Sequence, residues 1–163
     1  MVEVKIAGIQ VNLMSQQRVV LLKEVNADRY LPIWVGPCEA EAINIKLQQV
    51  EFARPLTHDL LKNVIEALGG QVERIVVTAL REDTFYARIF IAVGDGEVEI
   101  DSRPSDAMAL AVRVPVPLYV ADEVMAEAAI TPERDLISGK AGGEPSAFDD
   151  FLSSLNVDDL PIQ

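Results

Sequence analysis

The chain of 163 residues carries a formal charge of −12, with half of its residues apolar and a quarter charged. That balance suits one globular domain with a short appendage and argues against a broad basic footprint for nucleic acid. A single cysteine, Cys38, excludes a disulfide-stapled secreted domain. No apolar run approaches the roughly 18 residues of a membrane span, and residues 1–5 lack the features of a signal peptide, so a cytoplasmic location is expected.

Residues 2–7 alternate Val2, Val4 and Ile6 with Glu3, Lys5 and Ala7, and after Gly8 the alternation resumes out of phase at Ile9, Val11 and Leu13. A glycine at a phase change predicts a β-bulge. A turn is expected at 14–17, then strands over 18–25 and 30–35, which complete an antiparallel meander. Gly36-Pro37 opens a helix predicted over 37–51, with Ala40, Ile43, Leu47 and Val50 at helical spacing. After Pro55, Thr57 is the expected N-cap of a second helix, whose apolar face carries Leu60, Leu61, Val64, Ile65 and Leu68 and which Gly69-Gly70 ends.

A second meander follows: a strand over 71–80, a turn at Glu82-Asp83, a strand over 85–93, a hairpin signal at Asp95-Gly96, and a strand through Val98 and Ile100. A helix is predicted over 104–113. A short strand over 116–120 has Pro115 and Pro117, which suit an edge or a strand start. A last helix covers 121–129. The pattern predicts an α+β fold: two antiparallel β-meanders, each followed by helices, with the helices packed on one face of the sheet. This domain is expected over 1–130.

Residues 131–147, with Gly139, Gly142 and Gly143, read as a flexible linker. In 148–163, Phe148, Phe151, Leu152 and Leu155 are spaced i, i+3, i+4 and i+7 among Asp149, Asp150, Asp158 and Asp159. This short acidic amphipathic tail is too short to hold a helix alone and is expected to dock on its own domain or on a protein partner. From Thr131 onward seven acids face two bases, which leaves −7 on the body.

Four stretches place polar groups where folding alone does not require them. Asp101-Ser102-Arg103-Pro104-Ser105-Asp106 runs from a strand end into a helix N-terminus. It reads either as ordinary capping or as an anion or divalent-cation site. In Arg54-Pro55-Leu56-Thr57-His58-Asp59, His58 is the sole histidine, either exposed in a first turn or a general acid, general base or ligand. Glu39 and Glu41 either complement a helix dipole, or Glu41 faces the site and shares a cation with Asp101 or Asp106. Tyr86 and Arg88 either line a solvated sheet face or an oligomer interface, or stack on a base or bind a phosphate. Cys38 is expected to be a small, buried or half-buried residue. Glycine-rich phosphate loops, G-x-S-x-G elbows and H-E-x-x-H motifs are absent.

Four blocks, in order and spacing, resemble the bifunctional nuclease domain: Leu31-Pro32-Ile33-Trp34-Val35-Gly36 leading to Glu39-Ala40-Glu41-Ala42-Ile43, then Arg54 through Leu61, Asp83 through Ile89, and Asp101 through Ala111. The resemblance covers residues 1–130. It implies a compact α+β domain, often dimeric, and nuclease activity on RNA and/or DNA. The tail does not resemble the excision-repair-type motif that some relatives carry. Residues inside the matching blocks give the expected site. Asp101, Asp106 and Glu41 would hold Mg²⁺ or Mn²⁺. His58, with Asp59, would transfer a proton, and Arg54, Arg103 and Ser105 would hold the phosphate. The alternative is a non-catalytic regulatory or binding module with a partner-docking tail.

Overall fold

The structure is a computed structural model and describes residues 1–11 and 17–131. The turn expected at 14–17 lies outside them except for Gln17, as do the linker beyond Thr131 and the acidic tail.

The elements are β1 (Val2–Val11), β2 (Arg18–Glu24), β3 (Tyr30–Val35), α1 (Pro37–Leu47), α2 (Thr57–Ala67), β4 (Gly70–Arg81), β5 (Thr84–Val93), β6 (Gly96–Ser102), α3 (Pro104–Ala111), β7 (Leu118–Val120) and α4 (Asp122–Ala128). The expected order holds and the fold is α+β. Several details differ. Gln49, at φ 56°, leaves the helical region just after α1, which therefore stops short of residue 51. Leu56, with extended backbone angles, is the N-cap of α2, and Thr57 is its first helical residue. The β5–β6 loop is Gly94-Asp95, because Val93 pairs with Gly96 and Gly94 takes φ 58°.

The seven strands of the described residues form one sheet in the order β3-β2-β1-β7-β4-β5-β6. Each meander is one half of the sheet, and β7 joins them, antiparallel to β1 and parallel to β4. Of the two placements that the prolines suit, an edge or a strand start, the structure shows the second: the strand is central and Pro117 directly precedes it. Pro117 serves there as an acceptor only, its carbonyl taking a bond from Ile75 N at 3.1 Å, so its missing N–H costs nothing.

Register shifts fall between Ile6 and Gly8, Val72 and Arg74, and Val77 and Ala79. Each extra residue returns the next apolar side chain to the same face. Val72, Ile75 and Val77 are thus all buried in one core, and Ile6, Ile9 and Leu80 pack against it. Ile43 of α1, residues 107–110 of α3, and Val124 and Met125 of α4 enter the same core.

α4 touches both β4 and β3, although three strands lie between them. Four strand spacings in a flat sheet measure about 19 Å, and a seven-residue helix about 10 Å. The sheet therefore curls around α4. Mutual hydrogen bonds between Tyr30 and Ile130, of 2.8 and 2.7 Å, fasten the chain beyond α4 to β3. No helix among the described residues is long and apolar enough to cross a membrane.

Arg113, expected as the last residue of α3, lies just beyond it with its side chain 2% exposed. Its Nε donates to Asp59 of α2 at 2.7 Å, and its Nη1 donates to the carbonyls of Ala42 in α1 at 3.0 Å and Ala109 in α3 at 2.6 Å. One guanidinium thus ties three helices together. Arg113→Ala removes all three bonds and takes the side-chain partner from the buried Ala109 carbonyl. Urea denaturation should show a loss of about 2 kcal/mol, as for lost hydrogen bonds to a charged group, since the Asp59 carboxylate left behind is partly exposed.

Candidate active site

α1, α2 and α3 begin alike: Pro37-Cys38-Glu39, Thr57-His58-Asp59 and Pro104-Ser105-Asp106 each place an acid at the third helical position. The three N-caps are Gly36, Leu56 and Arg103, and none makes a side-chain capping bond. Each helix start therefore presents backbone N–H groups that lack an intrahelical acceptor, with the positive end of its dipole.

The three starts converge on one open cleft of about 690 Å³. Pro37, Cys38, Glu39 and Glu41 reach it from α1, Thr57 and His58 from α2, Arg103 and Asp106 from the start of α3, and Arg18 from β2. Ala42, Ile45 and Leu56 supply apolar wall.

An ion-paired network lies across the cleft. Arg103 Nε donates to Asp106 Oδ2 at 2.7 Å, and its Nη2 donates to Glu39 Oε1 at 2.8 Å. His58 Nε2 lies 3.3 Å from Asp106 Oδ1. The His58 side chain is 12% exposed and that of Arg103 66%. Gly36 makes room for this arrangement, because a Cβ there would overlap the Glu39 carboxylate.

Burial pushes the Asp106 carboxyl up, but hydrogen bonds and charge from Arg103 and His58 outweigh it and hold the group below its ordinary value. Asp106 and Glu39 in turn raise Arg103. Arg103 uses two of its five N–H donors in these pairs and keeps three for a ligand. With Nε2–H directed at Asp106, His58 Nδ1 is the nitrogen left to accept a proton, and it has no partner among the described residues.

Of the residues expected from the sequence, His58, Asp106, Arg103 and Glu41 line this cleft. Asp59 does not. Its carboxylate accepts from Leu56 N at 2.9 Å and from Arg113, and these bonds overcome its desolvation to lower its pKa. Asp101 pairs across the ladder with Arg88, beside the core residues Ala87 and Ile89, so it projects from the opposite face of the sheet. Arg54 is exposed in the loop before α2, and Ser105 is buried in the first turn of α3; neither lines the cleft. Tyr86 and Arg88 stand on the outer sheet face, with Arg88 paired to Glu99 at 2.9 Å. Cys38 is exposed on the cleft wall instead of buried. Arg18 and Arg113 escaped the sequence reading, because neither lies in a patterned polar block.

The donor set does not fit a divalent cation. No group of three or more His, Cys, Asp or Glu side chains is placed to hold one among the described residues. Asp101 is on the far face, and Asp106 and Glu39 are both already paired with Arg103. What the cleft offers is an exposed guanidinium, three helix N-termini and a carboxylate-oriented imidazole, a combination suited to an anionic ester.

Residues 20–133 match the family described as the bifunctional nuclease domain. An uncharacterized protein of Mycobacterium tuberculosis is 41% identical over 162 residues, 97% of each chain. Bifunctional nuclease 2 of Arabidopsis thaliana is 30% identical over 112 residues, 67% of this chain and 34% of its own. Bifunctional nuclease 1 of Oryza sativa subsp. japonica is 30% identical over 105 residues, 63% and 32%. The plant proteins are thus matched over about a third of their length.

Asp106 sets an acid limit on this network. Its folded carboxyl titrates below the unfolded value of about 3.9, so its contribution to stability is full above that pH and fades as pH falls through the folded value. Thermal melts of the wild type should therefore fall more steeply below about pH 4 than those of Asp106→Asn. Parallel profiles would show that the network does not hold the carboxylate.

Proposed function

The chain belongs to the bifunctional nuclease domain family, and from that premise we propose that its cleft hydrolyses nucleic-acid phosphodiesters. The observation that carries this reading is the convergence of three helix N-termini on Arg103 and the His58–Asp106 pair. The free donors of Arg103 and the helix N–H groups bind the phosphoryl oxygens and offset the −12 charge of the chain. Asp106 orients His58, whose Nδ1 takes the proton of the attacking water. The water oxygen bonds to phosphorus, the P–O bond to the leaving sugar oxygen breaks, and that oxygen takes a proton from solvent through the open cleft.

The second reading is a non-catalytic module that binds an anion. It is favoured by the two carboxylates that already neutralise Arg103.

Labelled single-stranded RNA and DNA, incubated with the purified chain in Mg²⁺, Mn²⁺ or EDTA, separate these readings. Cutting is expected to persist in EDTA. His58→Ala should lower it about 10²–10⁴-fold. Arg103→Ala should chiefly raise KM, and Asp101→Asn, altered on the other sheet face, should match the wild type. Binding without cutting selects the second reading. Activity abolished by EDTA and by Asp101→Asn would overturn this site in favour of a metal centre.

A further inference from the structure

α2 presents its apolar stripe away from its own core. Its least exposed side chains are His58, Asp59, Lys62 and Ile65, and none of its residues is buried. Ile65 faces inward, close to where Gly70 meets Ile91. Leu60, Leu61, Val64 and Leu68 are exposed, Leu68 to 78%. At about 100° per residue these four fall in one stripe roughly 100° wide, on a different flank from Ile65. A surface helix ordinarily turns such a stripe inward, and a contiguous exposed one marks a contact.

We propose that the stripe is the docking site for the chain's own residues 148–155. Three observations favour this occupant. The first is pattern. Phe148, Phe151, Leu152 and Leu155 would make one apolar stripe two turns long if helical, which matches the length of Leu60–Leu61–Val64–Leu68. The α2 stripe lacks a buried partner among the described residues, and pairing the two would complete a helix–helix contact.

The second is reach. The described chain ends at Thr131, which the Tyr30–Ile130 bonds hold beside β3. A flexible chain of the length of residues 132–147, with three glycines, would span roughly 20–25 Å r.m.s. and at most about 50 Å. A domain of 130 residues is about 35 Å across and about 55 Å round to its far pole, so a tether of this length reaches most of the surface. A tether of this length gives an effective concentration near the millimolar range. A second copy at micromolar concentration competes at a disadvantage of about a thousandfold.

The third is charge. Residues 148–163 hold Asp149, Asp150, Asp158 and Asp159 and no base. The acids of α2 are already engaged, Asp59 by Arg113 and Glu66 by Lys62, and exposed Arg54 precedes the helix. The acidic segment therefore meets no unpaired carboxylate on α2. This inference stands apart from the hydrolysis reading, since none of the residues it uses lies in the cleft.

Hydrogen–deuterium exchange of the full chain and of its Phe151→Ser/Leu152→Ser variant tests it, with the mass of each measured by light scattering. In the variant the amides of residues 60–68 should exchange at least tenfold faster, those of β4 and β5 should be unchanged, and the mass should stay the same. Leu68→Asp should speed exchange of residues 148–155 in return. Equal exchange of α2 in the wild type and the tail variant overturns the proposal. So does a fall from dimer to monomer mass in Leu68→Asp, which would identify a second copy as the cover.

Discussion

The buried guanidinium of Arg113 is the constraint on which the rest of the molecule depends. It reaches the carboxylate of Asp59 and the carbonyls of Ala42 and Ala109, so α2, α1 and α3 are fixed to one point. Burying a charge is costly unless every donor finds an acceptor, and here no buried polar side-chain atom among the described residues is left unpaired. The arrangement is directional in a way that apolar packing is not. Hydrophobic contact would let α2 slide along α3, whereas three bonds to one planar group fix the start of α2 against it.

That fixed crossing produces the cleft. Each of the three helices brings an N-terminal dipole and an acid at its third position, and the acids divide their roles. Asp59 turns inward to Arg113, while Glu39 and Asp106 both turn to Arg103. The result is a site whose positive elements are helix ends and the guanidinium groups of Arg103 and Arg18, in a chain whose overall charge is strongly negative. Local geometry overrides net charge there, because dipoles and fixed donors act within a few ångströms. α2 joins this frame mainly by its ends: His58 and Asp59 at its start, and Ile65 against Gly70 and Ile91 near its finish.

The sheet is the platform beneath. β7 joins two meanders that would otherwise each expose an edge, and the register shifts in β1 and β4 keep the apolar residues on the face that α1, α3 and α4 cover. Curling of the sheet around α4 brings β3 and β4 to one short helix and gives a single core instead of two.

The sequence by itself determined what depends on local periodicity and local chemistry. The strand and helix order, the bulge at Gly8 and the acid in each helix's first turn all follow from spacings of a few residues. The family likeness was also legible, in four short blocks, two of which contribute His58, Arg103 and Asp106. Only the tertiary structure decided which polar residues meet. Asp101 and Asp106 are five residues apart, yet one ends on the outer face of a strand and the other on a helix facing the cleft. His58 and Asp106 are 48 residues apart and touch. Arg113 read as the end of a helix because nothing near it in sequence is its partner. Asp59 and Ala42 are 54 and 71 residues away. Such pairings are set by how helices cross over a curled sheet, and no window of adjacent residues contains that crossing.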